Sequence, residues 1–289
     1  MMYAFYPGCL SQVEQFSCLS STREVLTKLG VRLQTMDGSS CCGYPTYRLS
    51  SPVTWSYLTA RNLALAERLG LDVLTSCNDC YLSFRKVTRA MEDDPRLRET
   101  VNDALKLEGL EYRARAETYH VVEVLHDKIG VKGISEAVVK PFKNLRLATQ
   151  PGCHLFRPGD LPTPDESEPH KLDDLVRALG AETFDYPHKL DCCGSMMYAP
   201  DPKASLRVVG KKLESVKEAG FDGLVTICPH CFRMLDTMQG SVDNALGNGG
   251  VRVPVFHYAQ LLGLAMGLSP ARLGLQFNSS PVRGLVDRM

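Results

Sequence analysis

Ser39-Ser40-Cys41-Cys42-Gly43-Tyr44-Pro45 sets two cysteines side by side ahead of a glycine, and Leu190-Asp191-Cys192-Cys193-Gly194-Ser195 repeats the arrangement. Each pair stands inside a larger pattern. The first reads Cys9, Cys41-Cys42, then Cys77-Asn78-Asp79-Cys80; the second reads Cys153, Cys192-Cys193, then Cys228-Pro229-His230-Cys231. Both halves place 34 residues between the vicinal pair and the Cys-x-x-Cys, and 31 or 38 between the lone cysteine and the pair. Ten of the eleven cysteines therefore form two equivalent sets of five.

Five thiols in this order restrict the chemistry. A Cys-x-x-Cys turn aims two sulfurs at one point, which suits one metal ion or one edge of a cluster. Vicinal cysteines are joined by a rigid peptide unit and more naturally hold two different metal atoms of one polynuclear centre. A tetrahedral zinc site uses four ligands, and a cubane uses one cysteine per iron. The fifth sulfur points either to an iron–sulfur centre of non-cubane geometry or to a cubane with one spare thiol. Structural zinc and disulfides are the competing readings. Disulfides need an oxidising compartment, whereas Met1-Met2-Tyr3-Ala4-Phe5-Tyr6-Pro7 shows no basic region followed by an apolar run. A cytoplasmic location is expected.

The chain has 289 residues, 44% of them hydrophobic and 23% charged, an ordinary composition for one large or two moderate globular domains. Lys plus Arg and Asp plus Glu both number 33, so no basic field points to a nucleic-acid partner. Leu261–Leu268 is the longest apolar run and is too short to span a bilayer.

Secondary-structure signals duplicate with the cysteines. A β-prone run ends at Cys9, a helical pattern covers about 16–29, and Val31–Met36 alternates like a strand. Pro52 opens a second helix that closes at Gly70, Asp72–Thr75 feeds Cys77, and a further helix is expected to reach Met91. Residues 144–153, 172–179, 182–186, 206–219 and 221–228 repeat this order. Strand–helix alternation predicts an α/β fold: two duplicated parallel-sheet, Rossmann-like domains related by pseudo-twofold symmetry, over residues 1–135 and 136–289. The offset grows from 144 (153 − 9) to 151 (192 − 41), which places seven extra residues in a proline-rich, acidic loop within 157–170. Glu92–Arg115 reads as a wet, charged helix, 130–143 as the join, and the tail after Ala271 as irregular.

Two copies of Cys…Cys-Cys-Gly…Cys-x-x-Cys resemble the cysteine-rich "CCG" domain family, and with two copies the chain looks like the B subunit of heterodisulfide reductase. The match takes in all ten repeated cysteines. The resemblance implies one non-cubane 4Fe–4S centre per set, one held by Cys9, Cys41, Cys42, Cys77 and Cys80, the other by Cys153, Cys192, Cys193, Cys228 and Cys231. It also implies a thiol or disulfide substrate, such as the mixed disulfide of coenzymes M and B or sulfur on a lipoate-binding protein. Other members of the family serve lactate, glycolate and succinate oxidation. No Cys-x-x-Cys-x-x-Cys-x-x-x-Cys run is present, so electrons must arrive from elsewhere. The resemblance supplies the partners: a ferredoxin-like C subunit and a flavin-containing A subunit. The runner-up is a non-catalytic electron-relay subunit of a larger dehydrogenase.

Disulfide cleavage takes two electrons, and two equivalent centres facing each other across a pseudo-twofold interface would supply one each. His154 and His230 occur only in the second set and are the candidate catalytic groups, as proton donors beside the sulfurs. His120 and His257 recur at matching places and read as helix caps or satisfied core histidines. Arg48, Arg85, Lys189 and Arg233 neighbour cysteines and are candidates to offset thiolate charge or bind an anion. Cys18, within the first helix, reads as a small buried apolar group.

Overall fold

Tyr3, Ala4 and Phe5 are all buried because β1 (Met2–Phe5) lies inside a parallel sheet whose two faces are both covered by helices. In the computed structural model, which describes residues 1–156, 169–246 and 251–289, β1 pairs with β2 (Arg32–Thr35) on one side and β3 (Val73–Thr75) on the other. Strand β4 (Thr118–His120) continues beyond β3, giving the order β2-β1-β3-β4, parallel throughout. The second half forms its own parallel sheet, β5 (Leu147–Gln150), β6 (Gly223–Thr226) and β7 (Val255–His257), in that order. The α/β reading with one parallel sheet per half holds.

Local signals set the connections. Helix Pro52–Leu69 starts with Ser51 accepting from the Thr54 N–H and with proline in its first turn; helix Pro202–Glu218 starts likewise behind Asp201, which accepts from Ala204 at 3.0 Å. Gly70, at φ 67°, turns the chain out of the first of these.

One expected strand is largely missing. Residues 182–186 contribute a single parallel bridge, Glu182 to Arg146. The Thr149 carbonyl, which would extend that ladder, instead accepts the Tyr186 hydroxyl at 2.9 Å, and the chain leaves the sheet edge there. Within the charged stretch 92–115, helix Asn78–Asp93 ends and a second helix covers Pro95–Lys106, whose inner face buries Val101 and Leu105; Gly109, at φ 67°, follows its end and the rest is not helical. The join contains the helix Val131–Ala137, and the tail is packed, with Leu275, Val282 and Leu285 buried. Residues 157–168, where most of the extra loop was placed, lie outside the described residues.

The halves meet by exchange. Helix Phe16–Lys28 of the first packs on helix Tyr258–Ala265 of the second, and helix Lys171–Ala178 of the second packs on segment 121–137 of the first. Val25, Leu26, Leu175, Val176, Leu261 and Leu262 are fully buried in one cluster there. Each contributes about 1.5–3 kcal/mol by removal from water. The Tyr258 hydroxyl ties the two helix pairs by donating to the Leu175 carbonyl at 3.1 Å. This reciprocal seam is what turns the two sets of cysteines toward one another.

Candidate metal centre

In a doubly wound sheet the crevice opens where strand order reverses, outside the carboxyl ends of the strands. For the first sheet that point lies between β1 and β3, and the chain beyond them delivers Cys9 and Cys77 there. The second sheet does the same with Cys153 after β5 and Cys228 after β6. Cys9 and Cys153 open short helices, while Cys77 and Cys228 precede helices whose first turns carry Cys80 and Cys231. The glycine ahead of each lone cysteine has positive φ, 77° at Gly8 and 83° at Gly152. A Cβ on Gly8 would sit 3.2 Å from the Cys80 sulfur, and one on Gly152 would strike the Asn78 amide, so both places need glycine for close approach.

The sulfurs gather across long sequence separations. Cys41 Sγ lies 3.7 Å from Cys9 Sγ, and Cys42 Sγ lies 3.6 Å from Cys80 Sγ. In the second half Cys153 and Cys192 are 4.0 Å apart, and Cys193 is in contact with Cys231. The Gly43 and Gly194 N–H groups donate to Cys41 Sγ at 3.4 Å and Cys192 Sγ at 3.3 Å. Those two thiols are held well below the ordinary thiol range: Cys41 chiefly by Cys42 and then Cys9, Cys192 chiefly by Cys153 and then Cys193, with the glycine amide assisting each. The two sets also touch, through Cys77 and Cys228. Five convergent thiols per half, with backbone donors already aimed at sulfur, fit an iron–sulfur group better than an isolated tetrahedral ion.

Around the sulfurs the halves interlock through Asp79. Its Oδ1 is 2.6 Å from His154 Nδ1 and its Oδ2 is 3.5 Å from His230 Nε2, so one buried carboxylate from the first half faces both histidines of the second. His154 Nε2 lies 3.3 Å from the Tyr44 hydroxyl, and His230 Nδ1 lies 3.2 Å from Ser195 Oγ. Burial opposes the positive charge on His154, but the Asp79 hydrogen bond and charge outweigh it and raise its pKa above the ordinary histidine value. Asn78 adds a further tie, donating to the Pro151 carbonyl at 3.1 Å. Asn78, Asp79, His154 and His230 line a narrow hollow with Cys153, Cys192, Cys193, Cys228 and Cys231. The sequence reading found the two histidines and missed Asp79 and Tyr44, which come from the other half.

The flanking cations are otherwise engaged. Lys189 is buried between Asp173 at 2.5 Å and Asp185 at 2.7 Å. Arg48 lies over Tyr44 and Trp55, Arg85 over Tyr81, and Arg233 pairs with Glu14 at 2.8 Å. His120 and His257 are wholly buried. His120 Nδ1 accepts from the Val122 N–H, and His257 Nε2 is 3.0 Å from the Ile227 carbonyl, just ahead of Cys228. Both play the structural part expected of them. Cys18 is buried, and it sits in the second half's core because its helix crosses the seam.

The family model of the cysteine-rich domain, CCG, matches twice, over residues 3–85 and 147–236, each match containing one set of five. The chain belongs to the CCG cysteine-rich domain family. Among CCG relatives, the B subunit of the ferredoxin/F420H2-dependent CoB-CoM heterodisulfide reductase of Methanosarcina acetivorans is 35% identical over 280 residues, covering 96% of this chain and 93% of that one. The B subunit of the ferredoxin:CoB-CoM heterodisulfide reductase of Methanosarcina mazei is 34% identical over 283 residues, covering 96% of this chain and 93% of that one. The 8-methylmenaquinol:fumarate reductase membrane anchor subunit of Wolinella succinogenes is 32% identical over 278 residues, with 96% of each chain covered. No helix among the described residues of this CCG protein is long and apolar enough to cross a membrane. A hypothetical protein from Helicobacter pylori has the same fold, with a TM-score of 0.79 at 16% identity over 96% of this chain; the match spans 52% of that longer chain.

Proposed function

We propose that this protein is the catalytic iron–sulfur subunit of a heterodisulfide reductase-like complex, in which a sulfur–sulfur bond is cleaved, or formed in reverse, where the two sets of cysteines meet. The observation that carries the reading is that Asn78 and Asp79, inside the first Cys-x-x-Cys, reach Pro151, His154 and His230 beside the second set of cysteines, so the two five-thiol sites face one seam instead of two separate surfaces. Cys9, Cys41, Cys42, Cys77 and Cys80 would hold one 4Fe–4S centre of non-cubane geometry, and Cys153, Cys192, Cys193, Cys228 and Cys231 the other. When bound, such centres supply single electrons and open iron positions for sulfur.

The protein's own groups do the rest. Cleavage consumes two electrons and two protons and releases two thiols, one from each side of the broken S–S bond. His154 and His230 border the hollow and are proposed to touch the reacting sulfurs. Asp79 fixes the His154 ring through its hydrogen bond and faces His230, so a donor is held in place as thiolate charge develops. Tyr44, with Arg48 over its ring, stands beside His154 from the first half. Electrons would come from a ferredoxin-like C subunit, fed by a flavin-containing A subunit. A cytoplasmic setting and a disulfide or lipoate-bound sulfur substrate complete the proposal.

The test is anaerobic purification followed by iron and acid-labile sulfide analysis and spectroscopy during addition of thiol. A signal that changes with thiol supports catalysis at the seam. The Wolinella relative, named as part of a fumarate reductase, favours a second reading, an electron-relay subunit. Reducible clusters whose spectra ignore every thiol and disulfide would select that one, and a colourless, iron-free protein would exclude both.

A further inference from the structure

The helices Pro52–Leu69 and Pro202–Glu218 occupy the same place behind their vicinal cysteines, and the eleventh residue of each, Asn62 or Lys212, pins the loop that leads into the pair. Asn62 does so with a neutral amide: its Oδ1 accepts from the Ser40 N–H at 2.9 Å and its Nδ2 donates to the Ser40 carbonyl at 3.0 Å. Lys212 uses an ammonium, donating to the His188 carbonyl and, at 3.2 Å, to that of Lys189.

Lys212 is 1% exposed, and among the described residues backbone carbonyls are its only hydrogen-bond partners. An ammonium taken out of water without a counter-ion costs several kcal/mol. Burial accordingly lowers its pKa to about 8, against the pull of Cys231, Cys193, Asp191 and Cys192. Asp191 is a weak counter-ion: its side chain is 59% exposed and already paired with His188 at 2.7 Å, where solvent screens it. With metal holding the sulfurs as thiolates, the buried negative charge that the fold would offer Lys212 is the set of the second half.

We propose that Lys212 is the built-in counter-charge of the second metal centre and makes that centre the more easily reduced of the two, so that an electron entering the pair settles first on the Cys192-Cys193 side. The inference rests on the iron–sulfur reading above. A fixed positive charge in a low-dielectric wall favours the state with one more electron, and the first half has a neutral amide at the matching point. The twin centres, alike in their ligands, are thereby made unequal. Two sulfurs of a substrate would then meet one centre that fills early and one that fills late.

The experiment is an anaerobic potentiometric titration of the iron-loaded protein, followed by electron paramagnetic resonance, for wild type, Lys212→Gln, Lys212→Met and Asn62→Lys. Expected is that both Lys212 variants make one of two reduction steps harder, with a reduced-to-oxidised ratio about tenfold lower at a given potential, a one-electron shift of about 59 mV. The other step should stay put. Asn62→Lys should move that other step the opposite way and narrow the gap. Iron-replete Lys212→Gln with both steps at their wild-type places overturns the inference while leaving the cluster reading intact. So does a glutamine variant that keeps the wild-type potential while methionine loses it, because hydrogen bonding and not charge would then be responsible. Should both Lys212 variants lose iron, an unshifted Asn62→Lys protein overturns the inference by itself. A wild type that binds no iron overturns the proposed function, and this with it.

Discussion

After its lone cysteine the first half has Leu10 where the second has His154, and inside its Cys-x-x-Cys it has Asp79 where the second has His230. The sulfur geometry hardly differs between them: the same glycine amide donates to the same member of each vicinal pair, at 3.4 and 3.3 Å. What differs is charge. One half supplies the acid and the other both imidazoles, and the reciprocal helix exchange brings Asp79 to 2.6 Å from His154 and 3.5 Å from His230. A duplicated fold has thus kept two sets of five cysteines alike while dividing the carboxylate and the two imidazoles between its copies, a grouping neither copy could assemble alone.

The strongest way to break this comparison is to remove one ligand per half. Cys41→Ala and Cys193→Ala should each lower turnover by a hundredfold or more and lower iron content by about half; an unequal pair of outcomes would deny that both centres are needed. Next in size is Lys189→Met, for which the first half has no counterpart because Gly38 stands at the matching place. It strands the buried Asp173 carboxylate, and loss of one partner from such a pair costs about 3–5 kcal/mol. Urea unfolding should show that loss in the apoprotein. A cost below about 1 kcal/mol would return Lys189 to the anion-binding candidates.

Asp79→Asn sharpens the asymmetry. It keeps the shape and removes the charge facing His154 and His230, so turnover should fall about tenfold, equivalent to about 1.4 kcal/mol, with iron content unchanged. The loss should appear in kcat more than in KM, whereas a merely structural asparagine would lower both iron content and melting temperature.

The smallest effect should be symmetric. Burial depresses both His120 and His257 to a pKa of about 4, below the ordinary histidine value of 6.5. In the unfolded chain each takes up a proton below about pH 6.5, while the folded state resists until about pH 4. Stability is therefore fully present above pH 6.5 and falls as pH drops through that window. Between pH 7 and 5.5 the unfolding free energy should fall by about 1 kcal/mol per histidine. His120→Asn and His257→Asn should each flatten that slope by a similar amount, and a slope insensitive to either would break the symmetry.

The strands feeding Cys9, Cys77, Cys153 and Cys228 were legible because β-prone runs ending in cysteine recur at fixed spacing, a local property of the chain. The helix Pro52–Leu69 was legible for the same reason, with its proline, serine cap and terminal glycine all inside one stretch. Residues 182–186 misled, because alternation promises a strand but says nothing of the Tyr186 hydroxyl, which takes the Thr149 carbonyl farther along the same edge. Asp79 and Tyr44 were invisible for a different reason: their partner, His154, lies 75 and 110 residues away in the other half. Lys212 gave no signal either, since a lysine in a helix reads as solvent-facing until its burial is known.

The order and spacing of the cysteines by themselves determined the family, the duplication and the two sets of five thiols, because residue identity and local chain direction are written along the backbone. Only the tertiary structure decided that the two sets face one seam, that one aspartate lies beside both histidines, and that Lys212 is buried behind one set where Asn62 stands behind the other. The first two are contacts across the seam between halves and follow from how Phe16–Lys28 and Tyr258–Ala265 pack together, while the third lies within the second half; no periodicity in these segments records any of them.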